Sequence, residues 1–268
     1  LAPQPIMKNI LTKIFSPKNE LSSKEISFLE ITKTTKVSEL FNVISNYNDQ
    51  GEIRYVGGCV RKILNNEKFD DIDLATNLKP EEVKEYLKNN NIDFFETGIE
   101  HGTITARIEE RNFEITSLRK DVSTDGRRAV VEFTNQWMED SLRRDFTINS
   151  IYADKEGNLF DPNDGVKDLE NGKIQFIGDP EKRVKEDYLR ILRYVRFFLN
   201  YSRQEHNLNV IKIIKQNING IVKLSKERLI DELNKLVISN RFFEISEDKV
   251  CEEIILLIFP QLKNIDIL

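Results

Sequence analysis

Two glycines, an arginine and three aspartates lie within one short stretch of the chain, Tyr55–Asn77, with the sequence YVGGCVRKILNNEKFDDIDLATN. Residues 53–56 predict a short apolar strand that runs into Gly57 and Gly58, and residues 59–64 predict an amphipathic helix. A glycine turn between a strand and a helix lets backbone N–H groups approach an anion, and the helix N-terminus favours negative charge. The pattern indicates a turn that can hold phosphate.

The carboxylates follow on a second predicted strand, Ile72–Thr76. Because side chains alternate along a strand, Asp71 and Asp73 point to one face while Asp70 points to the other. Two carboxylates on one face repel each other unless a cation lies between them, and hard oxygen ligands suit Mg²⁺. A Gly-Gly turn or an Asp-x-Asp pair alone is common without any function. Together they indicate a site for a nucleoside triphosphate with Mg²⁺.

The composition bounds the kind of protein. A chain of 268 residues with 39% hydrophobic and 32% charged residues can form one large domain or two ordinary ones. Its two cysteines and two histidines argue against a disulfide framework, a zinc site and a histidine-based relay. No run approaches a membrane span, so we expect no membrane contact and a cytoplasmic location. The opening LAPQPIM is expected to precede a native start at Met7.

The charge is distributed unevenly. The net charge is −5, but residues 180–268 carry 16 Lys and Arg against 13 Asp and Glu, whereas residues 1–179 carry 24 against 32. An acidic metal-binding part followed by a basic part suits a protein that meets a polyanion. Solubilising charges on exposed helices would give the same asymmetry, so the distribution is supporting evidence only.

The periodicity predicts a mixed α/β part followed by helices. Helices are predicted at 24–49, 80–90 and 135–145, a hairpin at 103–121 with its turn at 110–112, and a short strand and turn at 151–161. From Pro180 onward one helix follows another. We therefore predict an α+β fold with a head at 1–179 and an all-α segment at 180–268.

The predicted hairpin at 103–121 contains an acidic residue that can lie near Asp71 and Asp73. Glu114 alternates with apolar neighbours, so it lies on the opposite face of its strand. It can therefore project toward Asp71 and Asp73 from a neighbouring strand.

Two further stretches carry charges that could bind a nucleotide. DGRR, Asp125–Arg128, follows polar residues without periodicity and predicts a loop whose arginines reach phosphates, or an exposed basic turn. At the end of a predicted helix, Arg144 could hold a triphosphate through two parallel hydrogen bonds. Asp145 could accept a hydrogen bond from a ribose hydroxyl. A third stretch, FDPNDGVKDL at 160–169, predicts a structural turn.

A later helix could recognise a base. EDYLRILRYVRF, Glu186–Phe197, repeats charged residues every three positions: Asp187, Arg190, Arg193 and Arg196. The row drifts by about 60° per step around the helix, so Asp187 and Arg190 can act as one unit while Arg196 faces elsewhere. The acid can accept from an amine of a base and the arginine can donate to its ring nitrogen or carbonyl. An ion-paired surface helix is the alternative interpretation.

The order and spacing of these motifs resemble one family. VGGCVR…DDIDLATN, GIEHGT, FEITSLR, DGRR, RRDFTIN, FDPNDG, EDYLRILRYVRF and LSKERLIDEL are arranged over residues 53–235 as in class II tRNA nucleotidyltransferases, the CCA-adding enzymes, which are related to bacterial poly(A) polymerases. The resemblance implies a polymerase-β-like nucleotidyltransferase head with a mixed sheet and flanking helices. An all-α neck and a partial body would follow, with the neck selecting the incoming base without a nucleic-acid template.

The resemblance also assigns roles to residues. It implies that Asp71 and Asp73 are catalytic metal ligands and that Glu114 is a third catalytic acid. The nucleotide would be held by the turn of Gly57, Gly58 and Arg61, with Arg144 contacting the triphosphate and Asp145 the ribose.

The resemblance further implies that Asp187 and Arg190 read the base, with Arg193 and Arg196 beside them and with Ser225, Glu227 and Arg228 as template support. The flexible loop used in the switch from cytidine to adenosine would be Asp125, Gly126, Arg127 and Arg128.

The implied activity is the addition of C, C and A to the 3′ end and acceptor stem of tRNA from CTP and ATP, with Mg²⁺ and release of pyrophosphate. A poly(A) polymerase, or an enzyme that adds only A or only CC, is the near alternative, and DGRR disfavours CC alone. A catalytically silent RNA-binding relative is the more distant one. Lys62 supports it, because the family usually has Asp after Arg61. The family normally continues with helical body and tail domains that hold the tRNA elbow, whereas this sequence stops at Leu268. We therefore expect either a truncated chain or a shortened enzyme with a reduced grip on tRNA.

Overall fold

Among the residues that the structure describes, seven strands form a mixed sheet and two more form a separate ribbon. The computed structural model describes residues 23–46, 50–69, 71–124, 129–239 and 241–264. The strands are β1 (Ile53–Val56), β2 (Asp73–Thr76), β3 (Asp93–Gly98), β4 (Thr103–Ile108), β5 (Arg111–Ser117), β6 (Arg119–Thr124), β7 (Ala129–Phe133), β8 (Tyr152–Ala153) and β9 (Leu159–Phe160). The sheet order is β3-β4-β5-β2-β1-β8-β9, and β6 pairs with β7. β2 and β5 run parallel, and the other neighbours in the sheet are antiparallel.

Helices pack around the sheet and then continue the chain. In the first part they are α1 (Ser23–Thr34), α2 (Val37–Ser45), α3 (Gly58–Leu64), α4 (Pro80–Asn89), α5 (Trp137–Leu142) and α6 (Gly165–Glu170). The second part contains α7 (Pro180–Glu186), α8 (Leu189–Tyr201), α9 (Leu208–Asn217), α10 (Lys226–Val237) and α11 (Lys249–Ile258). The predicted α+β class, with a mixed sheet followed by helices, is confirmed. Within the described ranges, no helix is long and apolar enough to cross a membrane.

The two faces of the sheet differ. Tyr55 and Leu74 point to one face and belong to the main hydrophobic core. Ala75 points to the other face, where it packs with Trp137 in a small separate cluster. Because side chains alternate along a strand, Asp73 shares this second face with Ala75. The main core therefore supports the strand from behind, while its carboxylate faces away from that core.

The helix predicted at 24–49 is two helices, so this prediction was wrong in part. The break falls between α1 and α2, where Lys36 has a left-handed φ of 63°. The turn lets Phe28 of α1 and Leu40 of α2 enter the same core. A single straight helix could not present both apolar sets to one surface. Residues 47–49 lie outside the described ranges.

The predicted hairpin at 103–121 has a different turn and a different end. The turn is Glu109–Glu110, because Ile108 pairs with Arg111, and Glu109 takes a left-handed φ of 53°. Arg111 and the residue after it are exposed, so hydrophobic alternation did not mark them as strand. Residues 119–121 belong instead to the β6–β7 ribbon.

The edge strand β3 was not predicted. Its side chains are mostly exposed, including Phe95 at 48%. A strand with so little burial shows weak alternation in its sequence.

One hydrophobic cluster continues from the sheet into the helices. The Phe146 ring lies 4.6 Å from that of Phe176 and 5.3 Å from that of Phe197 in α8, centroid to centroid. Residues of both parts belong to the same cluster of buried side chains. The predicted division into two domains at 179/180 therefore does not coincide with a division of the hydrophobic core, and it stays a prediction.

Gly165 provides a test of packing at the start of α6. A Cβ built on Gly165 would lie 2.2 Å from the backbone oxygen of Thr147. We expect Gly165→Ala to lower the free energy of unfolding by about 1–3 kcal/mol, because backbone atoms must shift to accommodate the methyl group. Gly98→Ala is the matched control, since its Cβ would make an ordinary 3.5 Å contact with Thr103. Urea denaturation of both variants measures the difference; equal stability would contradict this packing.

Candidate active site

The glycine turn lies directly beside a carboxylate and an arginine. β1 ends at Val56, and Gly57 then adopts a φ of 69°, a conformation that side chains other than glycine rarely take. A Cβ at Gly57 would lie 3.9 Å from Oδ2 of Asp73 and 3.9 Å from Nη1 of Arg144. A Cβ at Gly58 would also lie 3.9 Å from Asp73 Oδ2. The turn therefore brings the start of α3, a carboxylate and a guanidinium together.

Three carboxylates meet on the sheet face beside this turn. The parallel pairing of β2 with β5 places Asp73 opposite Glu114, and Asp71 comes just before β2. Burial raises the pKa of Asp73, and the charges of Glu114 and Asp71 raise it further. Asp71 and Glu114 are exposed, while Asp73 is half-buried. A group of oxygen donors that repel one another in this way fits a divalent cation with further ligands from water and phosphate.

A buried carboxylate holds Arg144 toward the turn. Arg144 donates to Oδ2 of Asp140 at 3.0 Å and to the Tyr152 hydroxyl at 3.0 Å. Arg143 donates to the other oxygen of Asp140 at 2.8 Å. Burial alone would raise the pKa of Asp140, but Arg144, Arg143 and the Tyr152 hydroxyl hold it well below its usual range. Asp140 is therefore an ionised anchor that fixes the direction of Arg144.

Asp140 and Tyr152 were not identified from the sequence. Asp140 precedes Arg144 by one helical turn, and this i,i+4 spacing was the available signal. Tyr152 gave no signal, since only the fold brings β8 beside α5. Arg119, at the start of β6, also approaches this anchor, because its backbone N–H donates to Asp140 Oδ1 at 3.2 Å.

Two residues predicted to contact the nucleotide instead form hydrogen bonds and ion pairs with other side chains of the protein. Arg61 is buried, donates to Oδ1 of Asn149 and stacks over Phe197, with Cζ 4.8 Å from the ring centroid. Asp145 accepts from Arg193 Nε at 2.6 Å and from Asn149 Nδ2 at 2.9 Å. In this conformation both side chains join the head to α8. Their contacts with a nucleotide stay predictions.

The expected pairing of Asp187 with Arg190 is wrong in its geometry. Asp187 precedes α8 in extended backbone, with φ −153°, and its carboxylate accepts from Arg228 at 2.8 Å. Arg190 instead donates to Glu186 at 2.6 Å. The helix assumed from the repeat begins only at Leu189, so Asp187 does not sit one helical turn below Arg190 with its side chain aligned. Each member of the pair is held by a different partner.

The outer members of the repeat form a buried ionic network. Arg193 contacts Asp145 at 2.5 Å, and Arg196 donates to Oε1 of Glu232 at 2.5 Å. Glu232 is 2% exposed and also lies 3.7 Å from Arg193. This carboxylate on α10 was missed, because a single glutamate on a charged helix gives no sign of burial. The network fastens α8 between the head and α10.

The predicted template-support residues divide into two roles. Ser225 caps α10 by accepting from the backbone N–H of Arg228 at 3.4 Å, and the Arg228 side chain reaches Asp187. Glu227 is exposed, and hydrogen bonds from its own backbone N–H and from Ser225 lower the pKa of its carboxyl. Among the described contacts, Arg228 is the one of these three residues that reaches Asp187, a member of the predicted base-reading pair.

The remaining predicted residues lie elsewhere. Asp125–Arg128 and Asp70 fall outside the described residues. Lys62 is half-buried on α3, while its neighbour Arg61 is oriented by Asn149 and two aromatic rings. The predicted structural turn at 160–169 is confirmed over 161–164, where Asp161 accepts from the backbone N–H of Gly165 at 2.8 Å, and is wrong from Gly165 onward, where α6 begins.

The Asp140 anchor predicts a dependence of stability on pH. Its folded-state pKa is lowered, so its contribution is complete above the unfolded value of about 3.9 and is lost as pH falls through the folded value. We expect Asp140→Asn to cost about 3–5 kcal/mol near neutral pH, since two arginines lose a buried counter-charge. Below about pH 4 the difference from wild type should shrink. Denaturant unfolding across this range, with exposed Asp231→Asn as control, measures it; a constant difference would contradict the anchor.

Curated relatives cover most of this chain. The family model described as Poly A polymerase head domain matches residues 53–175. The chain is 40% identical over 245 residues to CCA tRNA nucleotidyltransferase 1, mitochondrial, of Homo sapiens, covering 88% of this chain and 55% of that protein. It is 37% identical over 252 residues to a CCA-adding enzyme of Lactobacillus helveticus, covering 86% and 61%. The chain spans about half the length of the curated relatives it matches.

Solved structures share the fold. The CCA-adding enzyme of Bacillus stearothermophilus in complex with CTP superposes with a TM-score of 0.68 and 28% identity, over 78% of this chain and 50% of that one. A tRNA nucleotidyltransferase complexed with a primer tRNA and an incoming ATP analog gives 0.64 and 25%, over 84% and 61%. From sequence identity, head-domain match and fold together, the chain belongs to the family of tRNA nucleotidyltransferases and poly(A) polymerases.

Proposed function

We propose that the chain is the catalytic part of a CCA-adding tRNA nucleotidyltransferase. It would add C, C and A to the 3′ end of tRNA from CTP and ATP and release pyrophosphate. One observation carries the proposal: Asp71, Asp73 and Glu114 converge beside the Gly57 turn, within reach of Arg144. The names of the relatives and the CTP and ATP-analog complexes of the neighbours support the choice of substrates.

Membership of this family implies a divalent metal ion, and we propose Mg²⁺. Asp71 and Asp73 would hold it, because Asp73 lies beside the glycine turn and its carboxylate is close enough to Asp71 to feel its charge. When bound, the metal would activate the 3′ hydroxyl of tRNA and neutralise the leaving pyrophosphate. Glu114 adds a third negative charge to the same face and strengthens the attraction for a cation.

The protein's own residues would place the triphosphate. The backbone N–H groups at the start of α3 face an anion that enters over Gly57. Arg144 would contact the phosphates from the side, with its direction set by Asp140 and Tyr152. A guanidinium that is already oriented loses little freedom on binding, which favours tight positioning of the reacting phosphorus.

Base selection would use Asp187 and Arg190 from separate supports. Cytosine and adenine each offer an exocyclic amine beside a ring nitrogen acceptor, whereas guanine and uracil offer a carbonyl and a ring N–H. Asp187, held by Arg228, can accept from the amine, and Arg190, held by Glu186, can donate to the acceptor. Two independent supports would keep the two groups at a fixed separation without contact between them.

The alternatives differ in product. A poly(A) polymerase would extend any RNA with A alone, an A-only or CC-only enzyme would stop at a partial end, and a silent relative would bind without extension. Incorporation of labelled CTP and ATP into a tRNA that lacks CCA separates them on one gel. A cytoplasmic location is part of the proposal, and the mitochondrial names of the vertebrate relatives make the organelle the alternative.

The metal ligands give the first functional prediction. We expect Asp73→Asn to reduce incorporation of both C and A by about a thousandfold or more, because positioning and charge stabilisation both depend on the cation. Binding of tRNA should change little in a filter assay. Asp93→Asn, an exposed aspartate on β3, is the control and should retain full activity. Activity of Asp73→Asn within tenfold of wild type would remove this assignment.

The proposed base-reading pair, Asp187 and Arg190, gives the second functional prediction. We expect Asp187→Ala to slow CTP and ATP use by about ten- to a hundredfold, because the amine loses its acceptor. Use of GTP and UTP should not fall, so selectivity decreases. Single-nucleotide incorporation with each triphosphate measures this, with exposed Glu181→Ala as control. An unchanged preference in Asp187→Ala would mean that the base is read elsewhere and would return α8 to a structural, ion-paired role.

A further inference from the structure

Three side chains with different metal-binding atoms meet in the helical part. They are His206, which lies between α8 and α9, Asp248, which caps α11, and Cys251 in the first turn of that helix. His206 Nε2 lies 3.0 and 2.9 Å from the two Asp248 oxygens and 3.9 Å from Cys251 Sγ. The three donor atoms all lie within 4.8 Å of one another. This group shares no residue with the candidate active site.

The histidine is held as metal ligands usually are. Its other ring nitrogen, Nδ1, lies 3.0 Å from the Tyr194 hydroxyl. Its ring stacks on Phe198 with centroids 3.5 Å apart and planes 13° from parallel. A histidine that binds a metal generally bonds its second nitrogen to a neighbour, which fixes the ring plane and the tautomer. Nε2 is thereby directed at Asp248 and Cys251.

The aspartate can serve two purposes. Asp248 Oδ1 accepts from the backbone N–H groups of Val250 and Cys251 at 3.1 and 3.0 Å. These bonds fix the carboxylate against the start of α11, with Oδ2 facing His206 Nε2 at 2.9 Å. Cys251, one residue after Val250, is fully buried, so its sulfur is confined to the same spot.

We propose that His206, Asp248 and Cys251 bind one Zn²⁺-like transition-metal ion, against the expectation from the low count of cysteines and histidines, because the fold brings one of each beside a carboxylate. Nitrogen, sulfur and oxygen are the ligands that zinc takes, with bonds of about 2.0–2.3 Å and therefore ligand-to-ligand separations of about 3.3–3.6 Å in a tetrahedron. The separations from His206 Nε2 to the nearer Asp248 oxygen, 2.9 Å, and to Cys251 Sγ, 3.9 Å, lie within about half an ångström of those values. A cavity of about 450 Å³, lined by His206, Asp248 and Phe198 among others, adjoins the group and provides water as the fourth ligand.

Binding changes the protons of the site in a defined way. We assign the proton of the neutral imidazole to Nε2, because this atom faces a carboxylate, and Nδ1 then accepts from the Tyr194 hydroxyl. Coordination places the metal on Nε2 and on the Cys251 thiolate, and the proton moves to Nδ1, which then donates to Tyr194. The thiol proton leaves to solvent. The ion would join the segment before α9 to the start of α11 and stabilise the helical part.

Cobalt provides the test, because a Co²⁺–thiolate bond has a charge-transfer absorption that oxygen ligands lack. We use the full chain with Asp71→Asn and Asp73→Asn, which removes the acidic site as a competitor. We expect about one equivalent of Co²⁺ per chain with this absorption, displaced by Zn²⁺ and not by excess Mg²⁺. Zn²⁺ should also raise Tm.

Matched variants decide the assignment. Cys251→Ala and His206→Gln in this background should lower bound Co²⁺ at least tenfold and abolish the absorption and the rise in Tm. Cys59→Ala, which removes the other buried cysteine, should keep all three. His206→Gln preserves hydrogen bonding to Tyr194, and circular dichroism verifies that it folds. The proposal would be overturned if the chain with only Asp71→Asn and Asp73→Asn showed no such absorption. It would also be overturned if the absorption survived in folded His206→Gln.

Discussion

The parallel pairing of β2 with β5 is the constraint on which the candidate site depends. A parallel pair in register places residues of two distant strands side by side, and here it sets Asp73 against Glu114. Two carboxylates in that position cost free energy unless a cation compensates them. The main core on the other face, with Leu74 and Ile115, fixes this register. A slip by one residue would bury the acids and expose the apolar side chains to water, so the free energy of core burial offsets the repulsion between the acids.

Three buried carboxylates form ion pairs with arginines in the head and in α8. Asp140 fixes Arg144, Asp145 binds Arg193, and Glu232 binds Arg196. A buried ion loses its hydration, so each of these acids avoids destabilising the fold only when its partners are in good hydrogen-bonding geometry. Asp145 directly follows Arg144 in the chain, so its contact with Arg193 joins α8 to the residue next to the arginine that Asp140 orients.

The fold class and the meeting of Asp71, Asp73 and Glu114 could be predicted, because alternation of side chains in strands is a local rule that few forces override. The split of α1 from α2 could not, since it depends on which core both helices share. The pairing of Asp187 failed for a similar reason. A repeat of charges every three residues cannot tell where a helix begins, and Asp187 lies just before it. Asp140 and Glu232 were missed because burial of an acid is decided by elements far away in the chain.

The shared aromatic cluster around Phe146 also bears on how this protein can be divided. A fragment ending near residue 179 would expose Phe146 and Phe176 to water and would leave Asp145 buried without Arg193. Such a fragment would lack both the apolar cover and the counter-charge that its interior requires. The match to the head-domain model ends at residue 175, but the contacts of Phe146 and Phe176 with α8 lead us to expect that a stable fragment must extend through that helix. Recombination between relatives would have to exchange the head together with that helix.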